Sequence, residues 1–148
     1  FVAGAHRDPY HKDGERYALL AWVIMANHVH CLLVPQAAHG LDTILHSWRS
    51  YTAHQANRLL DRSGPFWAHD YYDRFIRDER HLATATGYIE MNPVRAGLVG
   101  APEEYEWSSA GFHVNGTFDV LARGGPFRDL EHDWKFFLGC GPDITDSP

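Results

Sequence analysis

Apolar residues crowd two stretches in the first third of the chain. Residues 17–25 (YALLAWVIM) and 28–34 (HVHCLLV) are rich in β-branched and aromatic side chains and are separated only by Ala26 and Asn27, which predicts a β-hairpin with a tight turn. Nearly every position in both runs is apolar, instead of every second one, so the sheet they join is expected to be covered on both faces. Pro35 ends the second strand. From Leu41 the period changes: Leu41, Ile44, Leu45, Trp48, Thr52, Ala56, Leu59 and Leu60 recur at threes and fours. That spacing predicts an amphipathic helix to about Asp61, bounded by Gly40 and by Ser63-Gly64-Pro65. Tyr71–Ile76 reads as a short strand. Asp78 is placed to cap a second helix through Leu82, Ala85 and Ile89, which Pro93 ends near Asn92. Beyond Ala101 scattered Gly, Pro and acidic residues show no period.

A chain of 148 residues with 45% hydrophobic and 22% charged positions has the size and composition of one folded domain. Its net charge of -6 is unevenly placed. Residues 1–100 carry ten Lys/Arg and ten Asp/Glu, whereas residues 101–148 carry three against nine. The acidity therefore belongs to the tail, and the rest is neutral, which weighs against a general, charge-driven nucleic-acid binder. Cys31 and Cys140 show no paired spacing, and no apolar run approaches the roughly 18 residues of a spanning helix. With no signal-peptide pattern either, the expectation is a cytoplasmic protein with no membrane segment.

The sharpest chemical signal is Asn27-His28-Val29-His30 at the start of the second strand. Side chains alternate along a strand, so His28 and His30 share a face, where two imidazoles converge as a divalent metal requires. On an arbitrary strand such a pair is as often one core histidine and one surface histidine. The second signal is Tyr88-Ile89-Glu90-Met91-Asn92, whose spacing puts Tyr88 and Asn92 about one helical turn apart on one face. There a phenol can attack phosphorus while the Asn carboxamide oxygen joins the metal's ligands. Taken alone, Tyr88 reads as a core aromatic and Asn92 as a helix terminator; only the pairing with the histidines lifts them. Tyr71 and Tyr72 are rival nucleophiles, of which alternation places at most one on any face, and both read better as structural residues. Arg49, Arg58, Arg62, Arg74, Arg77, Arg80 and Arg95 are scattered among Trp48, Tyr51, Trp67 and Phe75, a mixture that suits single-stranded nucleic acid, whose phosphates meet arginine and whose bases stack on aromatic rings; Arg49, Arg58, Arg74, Arg77 and Arg95 are the candidate DNA contacts. Solvated helix faces explain much of the same pattern.

The ordered set AWVIMANHVHCLLVP, LHSWRSYTAHQANRLL, SGPFW, YYDRFIRDERHL, YIEMNPVRAGLV and YEWSSA closely resembles the REP-associated tyrosine transposases, relatives of the single-tyrosine insertion-sequence transposases among the HUH endonucleases. The resemblance runs over roughly residues 13–110, which makes 1–110 the expected transposase domain and 111–148 a poorly specified acidic appendage. It implies a ferredoxin-like α/β fold, of the α+β kind, with helices packed on a central antiparallel sheet. It also implies metal ligation by His28, His30 and Asn92, a Tyr88 nucleophile, and Mg²⁺ or Mn²⁺ as cofactor. The implied reaction is cleavage and strand transfer of single-stranded DNA at hairpin-forming repeats through a 5′-phosphotyrosine, by a monomer or homodimer. A free phenol, ionised only near pH 10, is a poor nucleophile at neutral pH, and a metal on the phosphate supplies what it lacks.

Two positions depart from the family's pattern. The family's opening strand and helix have no evident counterpart in residues 1–12, as expected of an N-terminally incomplete copy, and Ala26 stands where proline usually precedes the histidine motif. A remnant that binds DNA hairpins without cutting them is accordingly the alternative reading. A histidine-triad hydrolase is disfavoured because Leu32 occupies the position of the third histidine, and a cupin-like site lacks its later ligands.

Overall fold

A computed structural model describes residues 16–36, 38–69, 71–115 and 135–140, the last stretch as backbone. The expected hairpin is present: β1 (Tyr17–Ile24) and β2 (Val29–Pro35) pair antiparallel, and the Met25 N–H donates to the His28 carbonyl at 2.8 Å across the two-residue loop. Leu20 is an extra residue in β1 where the register slips between Leu19 and Ala21. Such a bulge changes which alternate positions face each layer. Tyr17, Leu19, Trp22 and Ile24 thus face one side of the sheet, while Leu20, Ala21 and Val23 face the other.

Helix α1 (Leu41–Leu59) packs Ile44 and Leu45 against Tyr17, Trp22, Cys31 and Leu33 on the first side. Helix α2 (Glu79–Glu90) packs Ala85 and Ile89 against Ala21, Val23 and Leu32 on the second. Both faces of the hairpin are therefore covered, which is why its runs are apolar almost throughout. Leu32, Leu33, Ile44 and Ile89 are fully buried, each contributing about 1.5–3 kcal/mol relative to exposure. The Asp78 carboxylate accepts the His81 N–H at 2.7 Å and starts α2 as the sequence predicts.

Strand β3 (Tyr72–Ile76) begins one residue later than expected. Pro93 does not end helical structure: the chain turns at Met91 and re-enters a four-residue helix, α3 (Asn92–Arg95), in whose first turn proline's missing N–H costs nothing. Gly97, with φ +70, closes it by donating to the Val94 carbonyl. Residues 107–109 then run beside β1, with Ile24 and Ser109 donating to the carbonyls of Trp107 and Trp22 and a bridge joining Val23 to Ser108. Helix α4 (Ala110–Asn115) follows and brings Phe112 onto the α1 side of the core.

The four strands lie in the order β1-β2-β4-β3, all antiparallel, as the mixed α/β reading expects. One part of the sequence reading is corrected here. Strand β4 (Lys135–Cys140) falls within the segment 111–148 that was expected to hang outside the domain, yet it bonds to β2 on one side and β3 on the other. Its six residues find their partners across long sequence separations, which local periodicity does not reveal. Residues 116–134 and 141–148, like the N-terminal stretch 1–12 expected to lack the family's opening elements, lie outside the described residues.

Candidate metal and nucleophile site

His28 and His30 flank the start of β2, and period two puts both on the Leu32 side, the side that α2 covers. Their ring centroids are 4.8 Å apart. From the last turns of α2, the Tyr88 ring meets the His30 ring edge-on at 5.6 Å. The structure thus brings together three of the residues singled out from sequence: His28 just before β2, His30 within it, and Tyr88 on a helix of the same chain. Their positions follow from the hydrophobic interface: Ile89, next to Tyr88, is fully buried in the same cluster as Leu32, which lies two residues after His30.

The three rings differ in environment. His30 is 2% exposed, whereas His28 and Tyr88 are half-buried and reachable from solvent. The Nδ1 of His28 lies 2.7 Å from the Asn27 Oδ1. A carboxamide oxygen only accepts, so Nδ1 carries the proton and the Nε2 lone pair remains available to a ligand. This outer partner is the usual companion of a metal-binding imidazole, and the donor chemistry fits a divalent cation on the two histidines. Asn27 was legible only as a turn residue; its second role needs the geometry.

Asn92 opens α3 one turn beyond Tyr88 and is half-buried. Among the described residues no group of three His, Cys, Asp or Glu could hold a metal. Arg95, on the same short helix, places its guanidinium 5.1 Å from the centroid of the Tyr88 ring. A cation at that distance is attracted to the ring face and restrains the phenol's orientation.

The remaining arginines are dispersed. Arg58 is exposed in the last turn of α1. Arg49 lies beside Trp67 and Tyr71 on the α1 side, where its guanidinium donates to the carbonyls of Ala68 and His69. Arg74 and Arg77 lie together with Arg80 in a groove between β3 and α2.

The rival tyrosines are separated by the sheet itself. Tyr71 packs on the α1 side, opposite the histidines, and donates its hydroxyl to the Asp42 carboxylate at 2.9 Å. That bond, aided by desolvation and by the negative charge of Asp42, raises its pKa above the ordinary phenol value, the reverse of what a nucleophile needs. Tyr72 is exposed on the other side.

Behind the site, Glu90 ties α2 to the β1 edge. Its carboxylate accepts from the Ser109 hydroxyl at 2.8 Å and pairs with His113 of α4. Nothing in the local sequence marks Glu90 or Ser109, because the bond joins residues brought together by the bridge to β1.

The family described as "Transposase IS200 like" matches residues 11–92, a span that holds both histidines, Tyr88 and Asn92. A Haemophilus influenzae protein named as a REP-associated tyrosine transposase is 27% identical over 150 residues, covering 93% of this chain and 77% of the relative. No solved structure matches the chain.

Proposed function

Since this chain belongs to the IS200-like transposase family, we propose that it cuts and rejoins single-stranded DNA at hairpin-forming repeats, with Tyr88 as the nucleophile and His28, His30 and Asn92 as ligands of Mg²⁺ or Mn²⁺. The observation that carries the proposal is the contact of three rings, His28 with His30 at 4.8 Å and His30 with Tyr88 at 5.6 Å, from two separate elements.

The Tyr88 oxygen attacks the scissile phosphorus, the bond from phosphorus to the 3′ oxygen breaks, and the phenolic proton ends on the released 3′-hydroxyl. The product is a 5′-phosphotyrosine, which keeps a phosphodiester bond and allows rejoining by the reverse step. When bound, the metal stabilises negative charge on the phosphate and the leaving oxygen. The chain's own contribution is placement. Buried His30 forms a fixed wall against the phenol, Asn27 holds the His28 tautomer that leaves Nε2 for ligation, and Arg95 restrains the Tyr88 ring. Among the described residues no helix is long and apolar enough to cross a membrane, and DNA is the partner the family implies.

Labelled single-stranded hairpin oligonucleotides incubated with the protein and Mg²⁺ or Mn²⁺, then run on a denaturing gel, test the proposal. The expected result is a covalent adduct, lost in Tyr88→Phe and in His28→Ala. A folded protein that binds the hairpin yet forms no adduct with either metal would establish the alternative, a DNA-hairpin-binding remnant without catalysis. An adduct that survives Tyr88→Phe would move the nucleophile to Tyr72, the rival tyrosine exposed on the other side of the sheet from Tyr71.

A further inference from the structure

The chain between β3 and α2 carries more unneutralised positive charge than its surroundings explain. Tyr72, Arg74, Arg77, Arg80, His81 and Thr84 line an open groove of about 640 Å³. Arg74, Arg77 and Arg80 are exposed, and among the described residues none of their guanidiniums has a carboxylate partner. Two carboxylates border the groove, Asp73 and Asp78, and Asp78 is committed to capping α2. The contrast with the groove around Arg49 is informative. There the guanidinium is satisfied by two carbonyls, the Trp67 N–H by Thr52, and the Tyr71 hydroxyl by Asp42, so that surface is internally complete.

The groove leads to the proposed site. On α2, Arg80, Thr84 and Tyr88 follow one another at intervals of four, forming one stripe that reaches the nucleophile about 12 Å from Arg80. On the sheet, Ile76 belongs to the cluster beneath α2, so Arg74 and Tyr72 share the histidine side by alternation. The register puts Tyr72 level with Gly139 and Gly139 level with His30. Two strand spacings, about 9–10 Å, therefore separate Tyr72 from His30, and the residue between them is a glycine, which has no side chain to fill the row. Tyr72 is 49% exposed, a large aromatic surface beside a cationic track.

We propose that the groove between β3 and α2 is the path of the single-stranded DNA flanking the hairpin, with phosphates on Arg74, Arg77 and Arg80 and a base stacked on Tyr72. Unpaired arginines meet a polyanion, and an exposed ring meets an unstacked base; a duplex stem offers no such base. The inference rests on the transposase reading and deepens it by assigning the strand that is delivered to Tyr88.

The test is fluorescence anisotropy of the full chain with two labelled DNAs, a hairpin with single-stranded flanks and the same hairpin without them, across a range of salt concentrations. For the flanked DNA, the triple variant Arg74→Gln/Arg77→Gln/Arg80→Gln should bind at least about tenfold more weakly, and its log–log salt slope should shrink by about 2, as expected for three lost contacts to single-stranded phosphates. Tyr72→Ala should lose roughly five- to hundredfold, whereas Tyr72→Phe keeps the stacking face and the affinity. Affinity for the flankless hairpin should change less than about twofold in every variant. Single Arg77→Gln and Arg80→Gln variants, each expected to take about 0.7 from the slope, guard against a folding defect in the triple variant. Unchanged affinity for the flanked DNA, or equal loss on both DNAs, overturns the groove assignment. A wild-type protein that binds neither DNA overturns the transposase reading together with it. Groove-dependent binding without a covalent adduct supports the groove and sinks only the catalytic reading.

Discussion

Removal of the Ser109 hydroxyl probes how α2, the helix that carries Tyr88, is held. Ser109 is fully buried and its side chain does two jobs at once: it accepts the Trp22 backbone N–H at 3.0 Å and donates to Glu90 at 2.8 Å. In Ser109→Ala the Trp22 N–H, in the interior of β1, loses its acceptor, and an orphaned buried donor costs about 1–3 kcal/mol. The bond to the Glu90 carboxylate is charge-assisted, and its loss adds to the cost. Glu90 keeps His113 as a neighbour and is 14% exposed, so that second contribution lies at the lower end of about 1.5–3 kcal/mol. The sum is about 2.5–4.5 kcal/mol. At about 3–4 °C per kcal/mol for a chain of this length, the thermal midpoint should fall by roughly 8–18 °C. Urea unfolding followed by circular dichroism measures the same quantity, with the m-value expected to stay unchanged. Glu90→Gln alone should cost less, because the amide oxygen still accepts from Ser109, and the double variant should show a coupling of about 0.5–3 kcal/mol. A Ser109→Ala loss below about 0.5 kcal/mol, the range of an ordinary surface change, would refute the reasoning and with it the claim that Glu90 anchors α2.

Three other perturbations follow from the geometry. Ala26 is the first central residue of the turn closed by Met25 and His28 and its N–H makes no hydrogen bond among the described residues, so Ala26→Pro should stabilise by about 0.4–1 kcal/mol in thermal melts, and destabilisation would show that the turn's backbone does not suit proline. The Tyr71 pKa is raised in the fold chiefly by its bond to Asp42, so the stabilisation is fully present below the unfolded phenol value of 10.0 and fades as pH rises through the folded value; Tyr71→Phe should flatten the alkaline side of the stability profile, and an identical slope would remove Asp42 as the cause. A chain cut after residue 134 loses the strand that bonds to both β2 and β3, so it should unfold less cooperatively and lose the Tyr88 adduct; native-like melting would show that the sheet stands without β4.

Much of this was legible because it is local. The hairpin, α1 and the Asp78 cap follow from apolar spacing and one capping side chain, and the shared face of His28 and His30 follows from strand alternation. Where tertiary packing decides, the sequence was silent. The bulge at Leu20 shifts the faces of β1 without leaving a mark, because both layers are apolar there. Pro93 reads as a stop, yet it sits in the first turn of α3, which brings Arg95 over Tyr88. Arg74, Arg77 and Arg80 read only as members of a scatter; their grouping with one another and with Tyr72 needs the fold of β3 against α2. Ser109 and Glu90 meet only because residues 107–109 run along β1.

The unequal burial of the three rings bears on how such a protein ages when selection on its chemistry relaxes. His30 is part of the core, so drift at that position is opposed by folding itself. His28 and Tyr88 are half-buried, and the groove's Arg74, Arg77 and Arg80 are exposed side chains away from the three rings. If the proposed function holds, a single change at Tyr88 or His28 extinguishes cleavage while leaving a folded protein with the proposed DNA groove intact. On the proposed function, a cleaving protein and a silent DNA-binding descendant are neighbours in sequence space, and the order of loss among diverged copies should run from Tyr88 and His28 first to His30 last.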